Sequence, residues 1–207
     1  MAKGQTVGRR DEGGFTLIEI LVVVGLIAVI SVIAIPMSGN ALANFRVSGD
    51  ARSVSNSISV AKMRAAAKFS RTRLFVDLDG ETFRIETWDK ESGDWVAEGG
   101  STALSSGVDF GYGIATEPPP DTQGTIGQAA LCKDKDGDDI ANSACILFNS
   151  RGIPVEDSTP GTSFPPTADD AIYLTNGTQL FAITVSATGM VRNWDATPAA
   201  EPGWRAN

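Results

Sequence analysis

Glu19 is the residue in this sequence whose position most needs a chemical explanation. It is the only charged side chain between residues 15 and 37, a segment that is otherwise apolar or small apart from Thr16 and Ser31. A carboxylate in such a segment costs about 2.5–3.5 kcal/mol on membrane-insertion scales, so it should be absent unless it is used. Glu19 lies four residues after Phe15, one helical turn away. A carboxylate in this position can neutralise a nearby amine.

Catalytic chemistry has little support elsewhere in the chain. The sequence contains no histidine, which removes the commonest general base and metal ligand. Hydrolytic triads that depend on histidine are therefore excluded, and we find no recognisable nucleophile motif. We expect no enzymatic activity and no cofactor. The alternative, an enzyme or receptor held by a signal anchor, would require a catalytic constellation or a ligand pocket.

The run from residue 133 to 139, KDKDGDD, is the one candidate for a metal site. Calcium prefers several carboxylate oxygens on a flexible loop, and Asp134, Asp136 and Asp138 would supply them. The spacing does not follow the EF-hand pattern, which requires a glycine at the sixth position and a glutamate at the twelfth. A solvated acidic turn is the preferred interpretation, with calcium binding as the alternative.

Residues 15–37 form a candidate membrane span, because 23 residues can cross about 30 Å of hydrocarbon at about 1.5 Å per residue. Lys3, Arg9 and Arg10 precede it, which predicts a cytoplasmic leader and an exported remainder. No small-residue cleavage site follows the apolar core; the small pair Gly13 and Gly14 precedes it instead. On the exported side, Cys132 and Cys145 are expected to form a disulfide, with two free thiols as the alternative.

Residues 38–70 are predicted to continue the helix with an amphipathic face. Apolar side chains recur every three or four residues and would pack on a sheet. Pro36 and Gly39 are expected to interrupt the helix between its two parts, with neutral residues of a membrane helix as the alternative. The stripe comprises Val47, Ala51, Val54, Ile58, Ala61, Ala65 and Phe69.

Residues 71–207 are predicted to form a β-rich head. Residues 74–78 and 83–87 flank Asp79 and Gly80, which indicates a hairpin. A second hairpin joins Trp88 to Trp95, and further strands are expected at 108–114, 145–149, 171–175, 180–186 and 190–194. The last dozen residues are expected to be frayed. The predicted fold is α+β, one long N-terminal helix packed on an antiparallel sheet.

The segment 13–19, GGFTLIE, resembles the class III signal of type IV pilins and pseudopilins. The resemblance implies that a prepilin peptidase cuts after Gly14, so residues 1–14 are a leader, and N-methylates Phe15. It also implies that Glu19 pairs with the terminal amine of a neighbouring subunit during assembly. The protein is then expected in the inner membrane as a single-pass subunit with a periplasmic head, and afterwards in a filament.

Within the pilin superfamily, three later segments resemble the GspH/FimT group of minor pilins and pseudopilins. They are residues 59–67 (SVAKMRAAA), 146–154 (ILFNSRGIP) and 183–192 (ITVSATGMVR). The acid-rich segment 116–144 departs from the group. The resemblance implies a minor type IV pilin with other pilins as partners, or alternatively a pseudopilin of a type II secretion system.

Charge is distributed unevenly along the sequence. Between residues 44 and 75 there are seven basic residues and one acidic residue, whereas residues 76–207 hold 7 basic and 21 acidic residues. This polarity could serve subunit contacts or simply keep the surface solvated. Some members of the group bind DNA through basic residues near the final strands, where this chain has only Arg192 and Arg205. Because phosphate affinity rises with the number of neutralised phosphates, DNA is not an expected partner.

Overall fold

The computed structural model describes residues 15–157, 163–168 and 170–207, without the side chains of residues 33–38 and 40. The predicted leader and its cleavage residue Gly14 lie outside the described residues. The chain divides into two units, Met1–Ala41 and Leu42–Asn207. One helix, α1 (Leu17–Lys68), provides the described structure of the first unit and the first element of the second.

The helix retains helical backbone at Pro36 and Gly39, so the predicted interruption there is wrong. A proline inside a helix removes one N–H donor, but the flanking turns keep their own hydrogen bonds, and the segment stays helical. Glycine has a weaker helix preference than alanine, yet a single glycine costs only about 1 kcal/mol. Within the described part of the chain, no helix combines the length and the apolar character that crossing a bilayer requires.

The helix ends at Lys68, two residues before the predicted boundary. Phe69 adopts a left-handed conformation with φ of 50°. Its N–H donates to the carbonyl of Ala66 at 3.4 Å, and the N–H of Ser70 donates to the carbonyl of Ala65 at 3.2 Å. This pair of bonds is a Schellman motif, which satisfies carbonyls that the helix end would leave free. Phe69 therefore leaves the buried stripe and is 74% exposed, contrary to the prediction.

The first sheet of the head follows the helix and is antiparallel. Its strands are β1 (Thr72–Asp77), β2 (Thr82–Asp89), β3 (Asp94–Ala97), β4 (Thr102–Ala103), β6 (Ser143–Phe148) and β7 (Pro154–Val155). Their order is β3-β2-β1-β6-β7, with β4 paired to β2. The two predicted hairpins are present as β1–β2 and β2–β3, and Trp88 pairs with Trp95 in the second.

The second sheet is also antiparallel, and its strands are β5 (Asp109–Phe110), β8 (Asp170–Thr175), β9 (Leu180–Val185), β10 (Val191–Ala196) and β11 (Arg205–Ala206). Their order is β11-β10-β9-β8-β5. Only Asp109 and Phe110 of the strand predicted at 108–114 form ladder bonds. The C-terminal residues are not frayed, because Arg205 and Ala206 pair with β10 and Asn207 donates its N–H to the carbonyl of Asn193.

The helix packs on both sheets through the stripe that its sequence predicts. The six stripe residues from Val47 to Ala65 are at most 3% exposed. They share one core with Leu74 and Ile146 of the first sheet and Ile172 and Ile183 of the second. The α+β class with a helix on antiparallel strands is confirmed, and the head contains two sheets where a single sheet was predicted.

The acid-rich segment 116–144 covers the outer faces of the two sheets. Gln123 and Gln128 bind Tyr173 of β8 through their side chains, which fixes the early part of the segment to the second sheet. Cys132 then bonds to Cys145 of β6, so the predicted disulfide is present and joins the later part to the first sheet. Closing a loop of this length stabilises the fold by about 3 kcal/mol in the chain-entropy model.

Candidate functional site

The N-terminal end of α1 contains Phe15 and Glu19. Thr16 precedes the first helical residue, and its Oγ1 accepts the N–H of Glu19 at 3.3 Å. Its carbonyl accepts the N–H of Ile20 at 3.2 Å, the first bond of the helix. Thr16 is therefore the N-cap, and Glu19 occupies the third helical position. Both Phe15 and Glu19 are exposed.

This cap was not predicted from the sequence, although its residue types follow a known capping pattern. Thr16 and Glu19 match the capping-box pattern, in which a threonine is followed three residues later by glutamate or glutamine. The carboxylate also lies in the first turn, where the helix dipole favours negative charge. The type and position of Glu19 thus suit the start of a helix, and any test of an assembly role must separate this effect from that of its charge.

The first unit exposes a continuous apolar surface. Its large apolar side chains from Phe15 to Val32 are 47–80% exposed. The hydroxyl of Ser31 donates to the carbonyl of Ile27 at 2.7 Å, which satisfies this polar group within the helix. Contiguous apolar surface of this size marks a site that lipid or protein covers.

A second site forms where the three segments that resemble the GspH/FimT group, residues 59–67, 146–154 and 183–192, meet. Lys62 of the helix donates from Nζ to the carbonyl of Gly189 at 2.8 Å. A Cβ built on Gly189 would lie 2.8 Å from the carbonyl oxygen of Gly152, and a Cβ on Gly152 would lie 3.2 Å from Cγ of Lys62. One residue from each segment therefore contributes to a single contact that holds two turns against the helix.

We expect Gly189→Ala to destabilise the head more than Gly177→Ala. Both glycines have positive φ, 72° and 79°, so each alanine carries a similar backbone cost of about 1 kcal/mol. Nothing lies within 4 Å of a Cβ on Gly177, whereas one on Gly189 meets a backbone oxygen. This overpacking should add about 1–3 kcal/mol. Urea unfolding followed by tryptophan fluorescence measures the difference, and equal losses would contradict the close approach.

A buried ion network lies on the outer face of the first sheet. Arg73 is 2% exposed and donates from Nε and Nη2 to Oε2 of Glu86 at 2.8 and 2.7 Å. Its Nη1 donates to Oδ2 of Asp157 at 3.0 Å and to the carbonyl of Lys133 at 2.6 Å. The ring of Trp95 lies 3.9 Å from the guanidinium carbon. Arg73 therefore ties both covering loops to the sheet.

This network was not predicted from the sequence, in which Arg73 is one of the basic residues between positions 44 and 75. Arg73 alternates with the buried residues Thr72 and Leu74, so it points to the other face of β1. The covering loops then bury that face. Burial raises the pKa of Asp157, although Arg73 and the N–H of Lys133 oppose the shift. The sequence offers no pattern that predicts which loop residue supplies the counter-charge.

The acidic turn uses its first carboxylate internally. Oδ1 of Asp134 accepts the N–H groups of Asp136 and Asp138, both at 2.9 Å. The hydrogen bond from Asp138 contributes most to lowering the pKa of Asp134. Lys133 and Lys135 form ion pairs with Asp139 and Asp136 at 2.7 Å. Across the described residues, no three histidine, cysteine, aspartate or glutamate side chains are grouped to hold a metal ion.

Comparison with known proteins gives one sequence match and two structural ones. A family model described as the prokaryotic N-terminal methylation motif matches residues 9–35. No curated protein sequence matches the chain significantly. Among solved structures, the chain is similar to two structures of the minor pseudopilin EpsH from the type II secretion system of Vibrio cholerae, each with a TM-score of 0.43. The sequence identities are 14% and 13%, and the matches cover 72% and 76% of this chain and 95% of each of those chains.

The motif match falls on the residues that the sequence singles out. It begins in the predicted leader, includes Gly14, Phe15 and Glu19, and ends one residue before Pro36. It thus covers the junction between the leader and the apolar helix. The N-terminal signal recognised in the sequence is confirmed, because the chain carries the prokaryotic N-terminal methylation motif.

Proposed function

We propose that this protein is a structural subunit of a type IV pilus-like filament, and specifically a minor pilin. A prepilin peptidase would cut after Gly14 and methylate Phe15, and the apolar helix would hold the subunit in the inner membrane before assembly. The methylation motif over residues 9–35 is the observation that carries the proposal. The uncovered apolar side chains of the first unit support it, because a filament core would bury them.

The head would then supply surface and partner specificity. Its core and its two sheets are complete without another chain, and the disulfide and the buried arginine fix the covering loops. We further propose that the protein is not an enzyme, since the sequence lacks histidine. Other pilins or pseudopilins would be its partners. The alternative is that the protein is a pseudopilin, a subunit of the pseudopilus of a type II secretion machine.

Fractionation of sheared filaments tests this function. We expect an epitope-tagged chain to appear in the filament fraction of its own organism and to disappear from it when the pilus assembly ATPase is deleted. Loss on deletion of a secretion ATPase would instead place the subunit in a pseudopilus. Retention of the whole population in the membrane fraction, while other pilins assemble, would contradict both settings.

A further inference from the structure

A groove of about 400 Å³ lies beside the C-terminal end of the helix, on the head. We call it the Arg71 groove, after one of the residues that line it. Trp88 and Lys90 at the end of β2 border it, together with Phe69, Ser150 and Phe164. Neither the disulfide nor the Lys62 contact uses these side chains.

Aromatic rings hold the guanidinium of Arg71 in place. Its central carbon lies 4.4 Å from the ring centroid of Trp88 and 4.3 Å from that of Phe164. The backbone is fixed as well, because the carbonyl of Arg71 accepts the N–H of Trp88 at 2.8 Å. Contacts with rings of this kind are favourable but use none of the five N–H donors. No side-chain hydrogen bond joins Arg71 to another residue in the described part of the chain.

Among the residues that the structure describes, none forms an ion pair with Arg71. Asp157 acts on it through space, but Oδ2 of Asp157 accepts from Arg73 and from the N–H of Lys133. Arg71 is half-buried, so its cation is partly removed from water, and this burial lowers its pKa. Lys90 adds a second positive charge at the rim, where its Nζ donates to the carbonyl of Phe69 at 2.7 Å. Among the described residues, two cations and no carboxylate border the groove, and the side-chain N–H donors of Arg71 are unused.

We propose that the Arg71 groove is a binding site for a carboxylate side chain of an acidic peptide segment on a protein partner. A planar guanidinium held in one orientation matches the two oxygens of a carboxylate, and the aromatic walls would pack on the methylenes that carry it. The same end of the helix already binds carboxylates within the chain, since Arg64 and Lys68 both contact Glu98. A nucleic acid would need more neutralised phosphates than two cations can provide.

Peptide binding to the full-length protein in detergent micelles tests this site. The probe is a fluorescein-labelled peptide with a central Glu-Glu pair between glycine and serine residues, followed by fluorescence anisotropy. We expect Arg71→Gln to weaken binding about tenfold or more, since a charge-assisted hydrogen bond contributes about 1.5–3 kcal/mol. Arg192→Gln is the matched control, because Arg192 is exposed and does not border the groove. It should change the affinity less than about twofold.

Two results would overturn the proposal. One is equal affinity of the wild-type protein and Arg71→Gln for the acidic peptide. The other is equal affinity of the wild-type protein for a peptide in which both glutamates are glutamine. If Arg71→Gln does not fold, Phe164→Leu replaces it, because this variant keeps the charge and removes one ring. We expect it to weaken binding about two- to fivefold, the effect of losing one cation–π contact of about 0.5–1 kcal/mol, and unchanged binding would count against the site.

Discussion

Replacing Arg73 with alanine is expected to lower the free energy of unfolding of the head by about 3–5 kcal/mol. The substitution leaves Glu86, whose side chain is 7% exposed, with Arg84 alone as its ion-pair partner. Asp157, whose side chain is 5% exposed, loses its ion pair and keeps only the through-space attraction of Arg71. A buried carboxylate without a counter-ion costs far more than the ion pair contributes, because its desolvation is not compensated. The carbonyl of Lys133 also loses a donor.

Urea unfolding of the full-length protein in detergent micelles measures this loss. All four tryptophans, Trp88, Trp95, Trp194 and Trp204, lie in the head and report its unfolding. Arg205→Ala is the matched control, because Arg205 pairs with Asp195 while its side chain is 76% exposed. That variant should stay within about 0.5 kcal/mol of wild type. A loss for Arg73→Ala no greater than for the control would show that the network does not anchor the loops.

Replacing Glu19 is expected to prevent efficient assembly, and two substitutions separate its roles. Glu19→Ala removes both the charge and the side chain at the third helical position. Glu19→Gln removes the charge but keeps a residue type that the capping-box pattern allows after Thr16, whose Oγ1 accepts the N–H of Glu19. If the carboxylate neutralises the amine of a neighbouring subunit, both variants should enter filaments about ten- to a hundredfold less than wild type. This range follows from about 1.5–3 kcal/mol for a charge-assisted bond.

Quantitative immunoblots of sheared filaments and of membranes measure the incorporation of each variant. Both variants should still be cut after Gly14, which mass spectrometry checks independently. Wild-type incorporation of Glu19→Gln beside a defect in Glu19→Ala would assign Glu19 to helix capping alone. Normal incorporation of both would remove the residue from the assembly mechanism.

Local patterns in the sequence predict much of the fold. The spacing from Val47 to Ala65 places these residues on one face of a helix, and they are buried there. Asp79 and Gly80 indicate the first hairpin, and the Asp77 side chain accepts the N–H groups of both. The cysteines pair as expected. Each of these features depends on neighbours in the chain or on a simple period, so each can be read without tertiary structure.

The features that sequence reasoning missed depend on contacts between distant segments. Arg73 is buried because loops some 60 and 84 residues away cover its face of the sheet. The C-terminal residues look polar and irregular, yet Arg205 pairs with β10 and Trp204 donates its indole N–H to the carbonyl of Glu117. Phe69 fits the helical period but falls at the position where the chain turns away.

The helix also shows where composition misleads. Proline and glycine are poor helix residues, which motivated the predicted interruption at Pro36 and Gly39. Each acts on only about one turn of the helix, while the apolar segment before Pro36 and the amphipathic segment after Gly39 are both helical. Whether the helix continues through Pro36 and Gly39 therefore depends on the whole segment, and a rule for single residues does not predict it.

Mass spectrometry of the mature N-terminus tests the central claim most directly. The protein should be purified from the membranes of its own organism with its peptidase intact, and its N-terminal peptide sequenced. A pilin-type subunit predicts that residues 1–14 are absent and that the chain begins at N-methylated Phe15. An intact leader, or a first residue other than Phe15, would contradict the assignment.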